Sequence, residues 1–424
     1  MARQEFKHII VFEHQRLLVD QEGEYYLSAR QHQALEAYYG NYSPFFTLIR
    51  NGVQFCQYVG VLQVGDTLIE VLPKADKLTG QEAVQKWQNL LINMIRTVWG
   101  FPVKDAGTSD LKLKHNSVLD LYFELFVTEV EMLMHLGLIK KYIREERNST
   151  ALKGKLAFTK HIQNNLIHQE RFYIETTTYT QQHDLHRIFY AALKLVSQLN
   201  RNELLKSRIG NLLLNFPEQH SIKVNPSTFN RLQYDRKSIV YKAALEIAEL
   251  LLLNYHPDIS QGRKNVLALM FDMNALWEQF VLSVLRRDLE GYKVNGQVSK
   301  RFWKSTGTNE ALNSSMRPDI VLLHNEKNEV IVMDTKWKNL NDKGPSTDDL
   351  RQMYVYHEYF EANKVVLLYP GDGELIKGQF YSKDQNSLDE KHCLVLQILV
   401  DRDFKIWKDK ILKKIQGLLT ESAI

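Results

Sequence analysis

Hydrophobic and polar positions divide the chain into three stretches. Residues 7–19 (KHIIVFEHQRLLV) and 46–73 (FTLIRNGVQFCQYVGVLQVGDTLIEVLP) carry short apolar runs separated by Gly-containing turns, which predicts strands, with Pro73 closing the last. From Gln81 the apolar spacing becomes helical in AVQKWQNLLINMIRTVWG. SVLDLYFELFVTEVEMLMHLGLI predicts a second helix, with Ser117 as N-cap, Asp120 in its first turn and Gly137 near its end. Residues 140–165 are charged and turn-like, and read as a linker or as a protruding hairpin centred near Asn148 and Ser149. Helices resume at HDLHRIFYAALKLVSQLN and SIVYKAALEIAELLLLNY, and the polar HPDISQGRKN, with Pro257 and Gly262, marks a boundary.

Beyond that boundary the order is helix, strands, helix, strand. FDMNALWEQFVLSVLRRDL is helical, RPDIVLL and EVIVMDTKWK are strands, DDLRQMYVYHEYFEAN is helical, and KVVLLYP is a strand. The tail DFKIWKDKILKKIQGLL is an amphipathic helix whose lysines form a solvated face. The predicted organisation is an α+β multidomain chain: a β-rich N-terminal domain with its following helix at 1–115, a mainly helical middle region at 116–262, and a C-terminal α/β domain at 263–424.

Composition changes this picture little. With 44% hydrophobic and 25% charged residues, the chain is that of a globular protein, and a net charge of +4 confines any nucleic-acid surface to a local patch. Cys56 and Cys393 are too few and too far apart for a disulfide framework or a cysteine metal site. The N-terminus lacks the apolar core of a signal peptide, and the richest apolar run, LEIAELLLLNY, is too short to span a bilayer, so a cytoplasmic protein without membrane contact is expected. There is no G-x-x-x-x-G-K-[ST] loop; LKGKLAF lacks the upstream glycine and the hydroxyl, so no bound nucleotide is expected.

The candidate chemistry lies in VIVMDTKWK, where a strand of apolar residues carries Asp334 and Lys336 on one face. Read as a hairpin with the preceding RPDIVLL, the simplest register sets Leu323 opposite Val330 and Asp319 opposite Asp334. That places two carboxylates ~4.5–5.5 Å apart at Cβ, and a one-residue slip would turn the strand over. A divalent cation is the natural compensation, since Mg²⁺ takes one or two carboxylates with waters and phosphate oxygens. Lys336 shares that face and can polarise a water beside a phosphate. Glu278 on the preceding helix can add a carboxylate. Gln352 and Tyr356, one helical turn apart, can steady the lysine or a substrate strand.

Pro318-Asp319 with Asp334-Thr335-Lys336 resembles the signature of the PD-(D/E)xK nuclease superfamily, and Gln352 to Tyr356 resembles the added motif of its RecB-like branch. More widely the chain resembles the McrC family, the nuclease subunits of McrBC-type restriction systems, through GVLQVGDTLIEVLPK, LKGKLAF, RLQYDRKSIVYKAALEIAELLL, FDMNALWEQFV, RPDIVL, DTKWK and QMYVYHEYF. The resemblance implies a restriction-endonuclease-like fold for the C-terminal domain. It implies Mg²⁺, with Mn²⁺ able to substitute, on Asp319, Asp334 and the Thr335 carbonyl. Lys336 would act on the attacking water, Glu278 would assist, and Gln352 and Tyr356 would support. It also implies in-line hydrolysis of DNA containing 5-methylcytosine, and a partner: a McrB-like AAA+ GTPase ring, stimulated by this chain and docked by its N-terminal half.

Residues 140–156 are one candidate for a projection into that ring, and Lys140, Lys141, Arg144 and Arg147 there can touch partner or DNA phosphate. In HDLHRIF the family pattern has asparagine where His186 stands, and His186 reads as a structural histidine. Two other readings fit the same residues: a repair or recombination nuclease with a different motor, and a non-catalytic activator or scaffold of an AAA+ ring.

Overall fold

The computed structural model describes residues 7–19, 26–42, 44–64, 67–76, 80–99, 118–256, 266–305, 313–340, 344–382 and 386–420. They form two compact units, residues 1–111 with 270–424 and residues 112–269. Ser117 and the Pro257–Gly262 break lie outside the described residues.

The first unit begins with β1 (Lys7–Phe12), β2 (Arg16–Leu18), α1 (Ala29–Tyr42), β3 (Phe46–Ile49), β4 (Gly52–Phe55), β5 (Tyr58–Val64) and β6 (Thr67–Leu72). β6 runs between β1, its parallel partner, and β5, its antiparallel one, and all six of its residues are buried. β2, β4 and β3 form a small antiparallel sheet. Its turn uses Asn51 at φ 65°, and Gly52 passes so close to Leu17 that a Cβ would sit 2.4 Å from the Leu17 carbonyl oxygen. The strand-only reading of this region omits α1, which starts with a reciprocal cap between Ser28 and Gln31. α2 (Gln81–Val98) follows and buries Trp87, Leu90, Leu91, Met94 and Ile95.

The second unit contains α3 (Val118–Leu136), β7 (Lys141–Ser149), β8 (Lys155–Leu156), α4 (Phe158–Asn165), β9 (Phe172–Thr180), α5 (Asp184–Leu199), α6 (Glu203–Asn215), α7 (Pro226–Asn230), α8 (Lys242–Leu253) and β10 (Tyr255–His256), which pairs with the start of β11 (Val266–Asp272). The expected linker or hairpin near Asn148 is neither. β7 pairs along its whole length with β9, from Lys141↔Thr180 to Ser149↔Phe172, and β8 joins the far side of β9. The ladder closes over a long excursion that local turn signals do not reveal.

The first unit then resumes with α9 (Met273–Asp288), β12 (Tyr292–Gly296), β13 (Lys300–Lys304), β14 (Asn313–Met316), β15 (Ile320–His324), β16 (Val330–Thr335), α10 (Thr347–Phe360), β17 (Lys364–Pro370), β18 (Ile376–Tyr381), β19 (Leu388–Ile398) and α11 (Phe404–Thr420). Six strands form one mixed sheet in the order β12-β15-β16-β17-β19-β18. β16, β17 and β19 are parallel, and β17 (KVVLLYP) is buried throughout, as a central parallel strand must be. α10 is the β16–β17 crossover; Met353, Tyr356 and Phe360 pack with Val321, Val332, Val365 and Leu367 on one sheet face. α9 and α11 pair through Trp277, stacked on Trp407 at 5.6 Å. The sequence reading separates 1–115 from 263–424, whereas the structure joins them: Lys86 on α2 donates to the Val400 carbonyl at 3.0 Å, and Asn339 donates to the Ala75 carbonyl at 2.8 Å. Among the described residues no helix is long and apolar enough to cross a membrane.

Candidate functional site

β15 and β16 pair from Leu323↔Val330 to Ile320↔Met333, so Asp319 and Asp334 occupy the next positions along. Asp319 lies in the bend entering β15. Its Oδ2 accepts from the Thr335 backbone N–H at 2.7 Å and the Thr335 hydroxyl at 2.9 Å. These bonds set the carboxylate against the end of β16. Asp334 is 2% exposed, and Lys336 Nζ lies 2.6 Å from its Oδ2 as an ion pair, off the angle of a hydrogen bond. The Lys336 backbone N–H donates to the Leu368 carbonyl at 2.9 Å, which holds the chain on β17 as it leaves the strand.

α10 supplies the next contacts, and its entry is fixed by a capping box between Ser346 and Asp349. Gln352 accepts from Lys336 Nζ at 3.1 Å. Its amide nitrogen lies 3.4 Å from Asp334 Oδ1 and donates to Tyr356 Oη at 2.8 Å. One side-chain amide thus touches lysine, aspartate and tyrosine. Glu278 on α9 is held by Gln297, whose side chain donates to Glu278 Oε1 at 2.6 Å.

The electrostatics show crowded negative charge. Burial, then repulsion from Asp319, raises the Asp334 carboxyl to about 6. Asp319 is also raised, by burial, against the opposing pull of the Thr335 hydrogen bonds. Burial and Asp319 push Glu278 up to about 7. Burial works against charge on Lys336, but Asp334 and Asp319 outweigh it and hold the ammonium above its ordinary range. Burial raises the Tyr356 phenol to about 12, so it stays a neutral acceptor for Gln352.

Among the described residues no three His, Cys, Asp or Glu side chains gather closely enough to enclose a metal ion. The carboxylates that could take a cation are Asp319 and Asp334, neighbours on the paired strands, with Lys336 on Asp334 and Thr335 on Asp319. This suits Mg²⁺ or Mn²⁺ and not a closed structural site.

The structure thus brings together Asp319, Asp334, Lys336, Glu278, Gln352 and Tyr356, with Thr335 at the strand end. Lys140, Lys141, Arg144 and Arg147 belong to the second unit instead. Lys141, Arg144 and Arg147 lie on β7, interleaved with acids; Arg144 is 4.0 Å from Glu175, and Glu146 pairs with Lys160. His186 is buried, donates through Nδ1 to the Gln181 carbonyl at 2.8 Å, and lies against His183 at 3.9 Å between centroids with the rings tilted by 36°. Burial depresses it to about 3, so it is neutral.

Three contributors were not found by sequence reasoning. Gln297 adopts φ 51° just past β12, and its backbone N–H donates to the Asp319 carbonyl at 3.0 Å while its side chain holds Glu278. Asp349 accepts from Lys338 at 2.6 Å and from Tyr369 at 3.0 Å beneath the site. Asn274 accepts from the Trp337 backbone N–H at 3.2 Å. Only Asp349 had a local signal, as the N3 residue of the S-x-x-D cap.

Fold and site define a mixed α+β protein with a carboxylate–lysine centre where parallel strands of its main sheet end. Residues 53–370 match the family described as McrBC 5-methylcytosine restriction system component, and the chain belongs to that family. Among solved structures, it is similar over 97% of its length to the whole (100%) of a chain in the half-complex from the tetradecameric assembly of Thermococcus gammatolerans McrB AAA+ hexamers with bound McrC, at 21% identity and TM-score 0.65. It is also similar over 68% of its length to 89% of a chain in the Thermococcus gammatolerans McrBC complex, at 22% identity and TM-score 0.48. At such identity the first likeness speaks for the fold. No curated protein matches the chain.

Proposed function

We propose that this chain is the DNA-cleaving subunit of a McrBC-type restriction complex, a Mg²⁺-dependent endonuclease of the PD-(D/E)xK type that acts on 5-methylcytosine-containing duplex DNA and stimulates an AAA+ GTPase ring. The observation that carries the reading is the linked set Asp319–Thr335, Asp334–Lys336 and Gln352, two carboxylates, a lysine and an amide that meet at the end of β16. The family match and the relative's assembly with McrB hexamers support the restriction setting.

Asp319 and Asp334 would hold the cation. When bound, Mg²⁺ supplies Lewis acidity at the phosphate and lowers the pKa of a water. Lys336 stays charged beside Asp334 and can donate to a phosphoryl oxygen or orient the attacking water. Gln352 fixes the direction of that ammonium, which matters because a lysine stem is otherwise free to turn. Glu278, with Oε1 occupied by Gln297, can accept a proton through Oε2 near neutral pH.

The test is Asp334→Asn in the complex with the AAA+ partner, Mg²⁺, GTP and methylated duplex. Cleavage should fall by about a hundred- to a thousandfold with GTPase stimulation retained. Cleavage at the wild-type rate would remove this site from the reaction.

A further inference from the structure

The ribbon formed by β13 and β14 is unlike the rest of the first unit. All five residues of β13, KRFWK, are exposed, with Phe302 at 47% and Trp303 at 55%. The described residues 300–305 and 313–317 include four basic side chains, Lys300, Arg301, Lys304 and Arg317, and no acidic one. Opposite Arg301, Trp303 and Lys304 stand Ser315, Ser314 and Asn313, small and polar, so the ribbon's second strand offers hydroxyl and amide groups without bulk.

The ribbon's root is tied to the candidate site. Lys300 donates to the Tyr359 carbonyl at 2.7 Å and lies 4.8 Å over the Phe360 ring, and Phe302 meets Tyr359 edge-on at 5.4 Å. Tyr359 and Phe360 end the helix that carries Gln352 and Tyr356. At the other strand's end, Met316 is buried in the core beneath α10, and three steps of chain separate it from Asp319, at most about 11 Å. Five strand residues then reach roughly 16 Å, which spans four or five base-pair rises of about 3.4 Å. With Lys300 and Phe302 fixed at the root, Arg301, Trp303 and Lys304 face solvent without an ion-pair partner among the described residues.

We infer that the β13–β14 ribbon is a DNA-contacting arm that grips the duplex flanking the scissile phosphate, with Arg301 and Lys304 on backbone phosphates and Trp303 against a sugar or base edge. This rests on the DNA-cleavage reading and adds to it a substrate surface outside the Asp319–Asp334 centre. Charge complementarity and the short path to Asp319 favour duplex DNA over a protein partner.

The experiment measures binding of fluorescent methylated duplex by the complex with its AAA+ partner, Ca²⁺ replacing Mg²⁺, across salt concentrations. The variants are R301A/K304A, W303A, and the charge-conserving R301K/K304R. For R301A/K304A the affinity should fall about tenfold or more near 0.15 M salt, and the slope of log K against log salt should become less steep by about 1.8, which is 0.9 for each of two phosphates. R301K/K304R should keep the wild-type slope, and W303A should lose affinity without changing it. An unchanged slope and affinity in R301A/K304A overturns the arm, as does loss of partner assembly with DNA binding intact. If the wild type neither binds nor cuts the duplex, the cleavage reading itself falls; if it cuts while R301A/K304A binds normally, only the arm falls.

Discussion

The Trp337 indole donates a 2.8 Å hydrogen bond to Glu13 Oε1, joining positions 324 apart in sequence within one buried contact. Glu13 Oε1 also accepts from the Lys74 backbone N–H at 2.8 Å. Trp337 follows Lys336 directly, and its ring packs at 5.5 Å on Trp277, the neighbour of Glu278, and at 6.0 Å on Trp87. The first segment of the chain therefore braces the two elements that carry Lys336 and Glu278. This makes the elements carrying Glu13, Lys74 and Trp87 part of the scaffold of the candidate site.

Glu13 has a measurable signature. Burial raises its carboxyl to about 7, and Oε2 has no partner. The folded protein thus holds this proton more tightly than the unfolded chain. Stability from the neutral form is full below about pH 4.5 and is lost as pH rises through about 7. Glu13→Gln keeps an acceptor for Trp337 and Lys74 without the buried charge. The variant should gain about 1–3 kcal/mol on the wild type between pH 5 and pH 8. All six tryptophans lie in the first unit, so urea unfolding followed by tryptophan fluorescence reads it directly. Parallel pH profiles would show that Glu13 is not held as a buried acid.

Gln352 is expected to govern rate more than affinity, because it touches Lys336 and Asp334 and only orients them. In Gln352→Ala the complex should lose about 10- to 100-fold in kcat with little change in KM for DNA. Tyr356→Phe should cost less than about tenfold, since Gln352 keeps its contacts with Lys336 and Asp334. Equal and wild-type kcat in both variants would mean that the lysine needs no guide.

Much of this geometry was legible because it is local. The alternation in VIVMDTKWK put Asp334 and Lys336 on one face, and the short HNEKNE loop gave the Leu323↔Val330 register that the sheet adopts. Apolar spacing located α2, α3, α5, α8, α9, α10 and α11. α1 was missed although Ser28-x-x-Gln31 is a capping box, because its apolar positions are few. α6 was also missed, although Asn202 caps it. Gln297 was invisible because its role depends on a left-handed backbone that meets Asp319 and Glu278 only after folding. Glu13, the β7–β9 ladder and the joining of first and last segments are long-range contacts, which no periodicity encodes.

Metal affinity should depend on pH through the carboxylates, which must ionise to bind a cation. In the metal-free protein Asp334 holds its proton up to about pH 6, and Asp319 is also raised. Mn²⁺ binding, read by calorimetry or electron paramagnetic resonance, should therefore weaken as pH falls from 7.5 to 5.5. For a carboxyl at about 6 the loss over that window is about fourfold, and it steepens toward about tenfold per pH unit for each proton only at lower pH. Asp334→Asn should weaken binding and reduce the pH-dependent part, leaving what Asp319 contributes, and chelation should stop cleavage until Mg²⁺ is restored. Binding of equal strength at both pH values would exclude these two aspartates as the ligands.

The second unit carries its own acid sensitivity. His186 is buried with Nε2 unpaired and is depressed to about 3 by burial and by His183, which burial also lowers. The unfolded chain takes up the proton near pH 6.5 while the folded unit refuses it, so stability must fall as pH drops from 6.5 toward 3. The limit is about 1.4 kcal/mol per pH unit for each such histidine. No tryptophan lies in this unit, so amide exchange of α5, corrected for intrinsic rate, is the suitable readout. His186→Asn can still donate to the Gln181 carbonyl but has no ring to protonate. It should lower stability at pH 7 through lost packing, yet flatten the decline below pH 6.5. A residual slope should remain from His183, whose Nε2 lies 3.1 Å from the Ile139 carbonyl. An undiminished slope in the variant would assign the acid sensitivity to other groups.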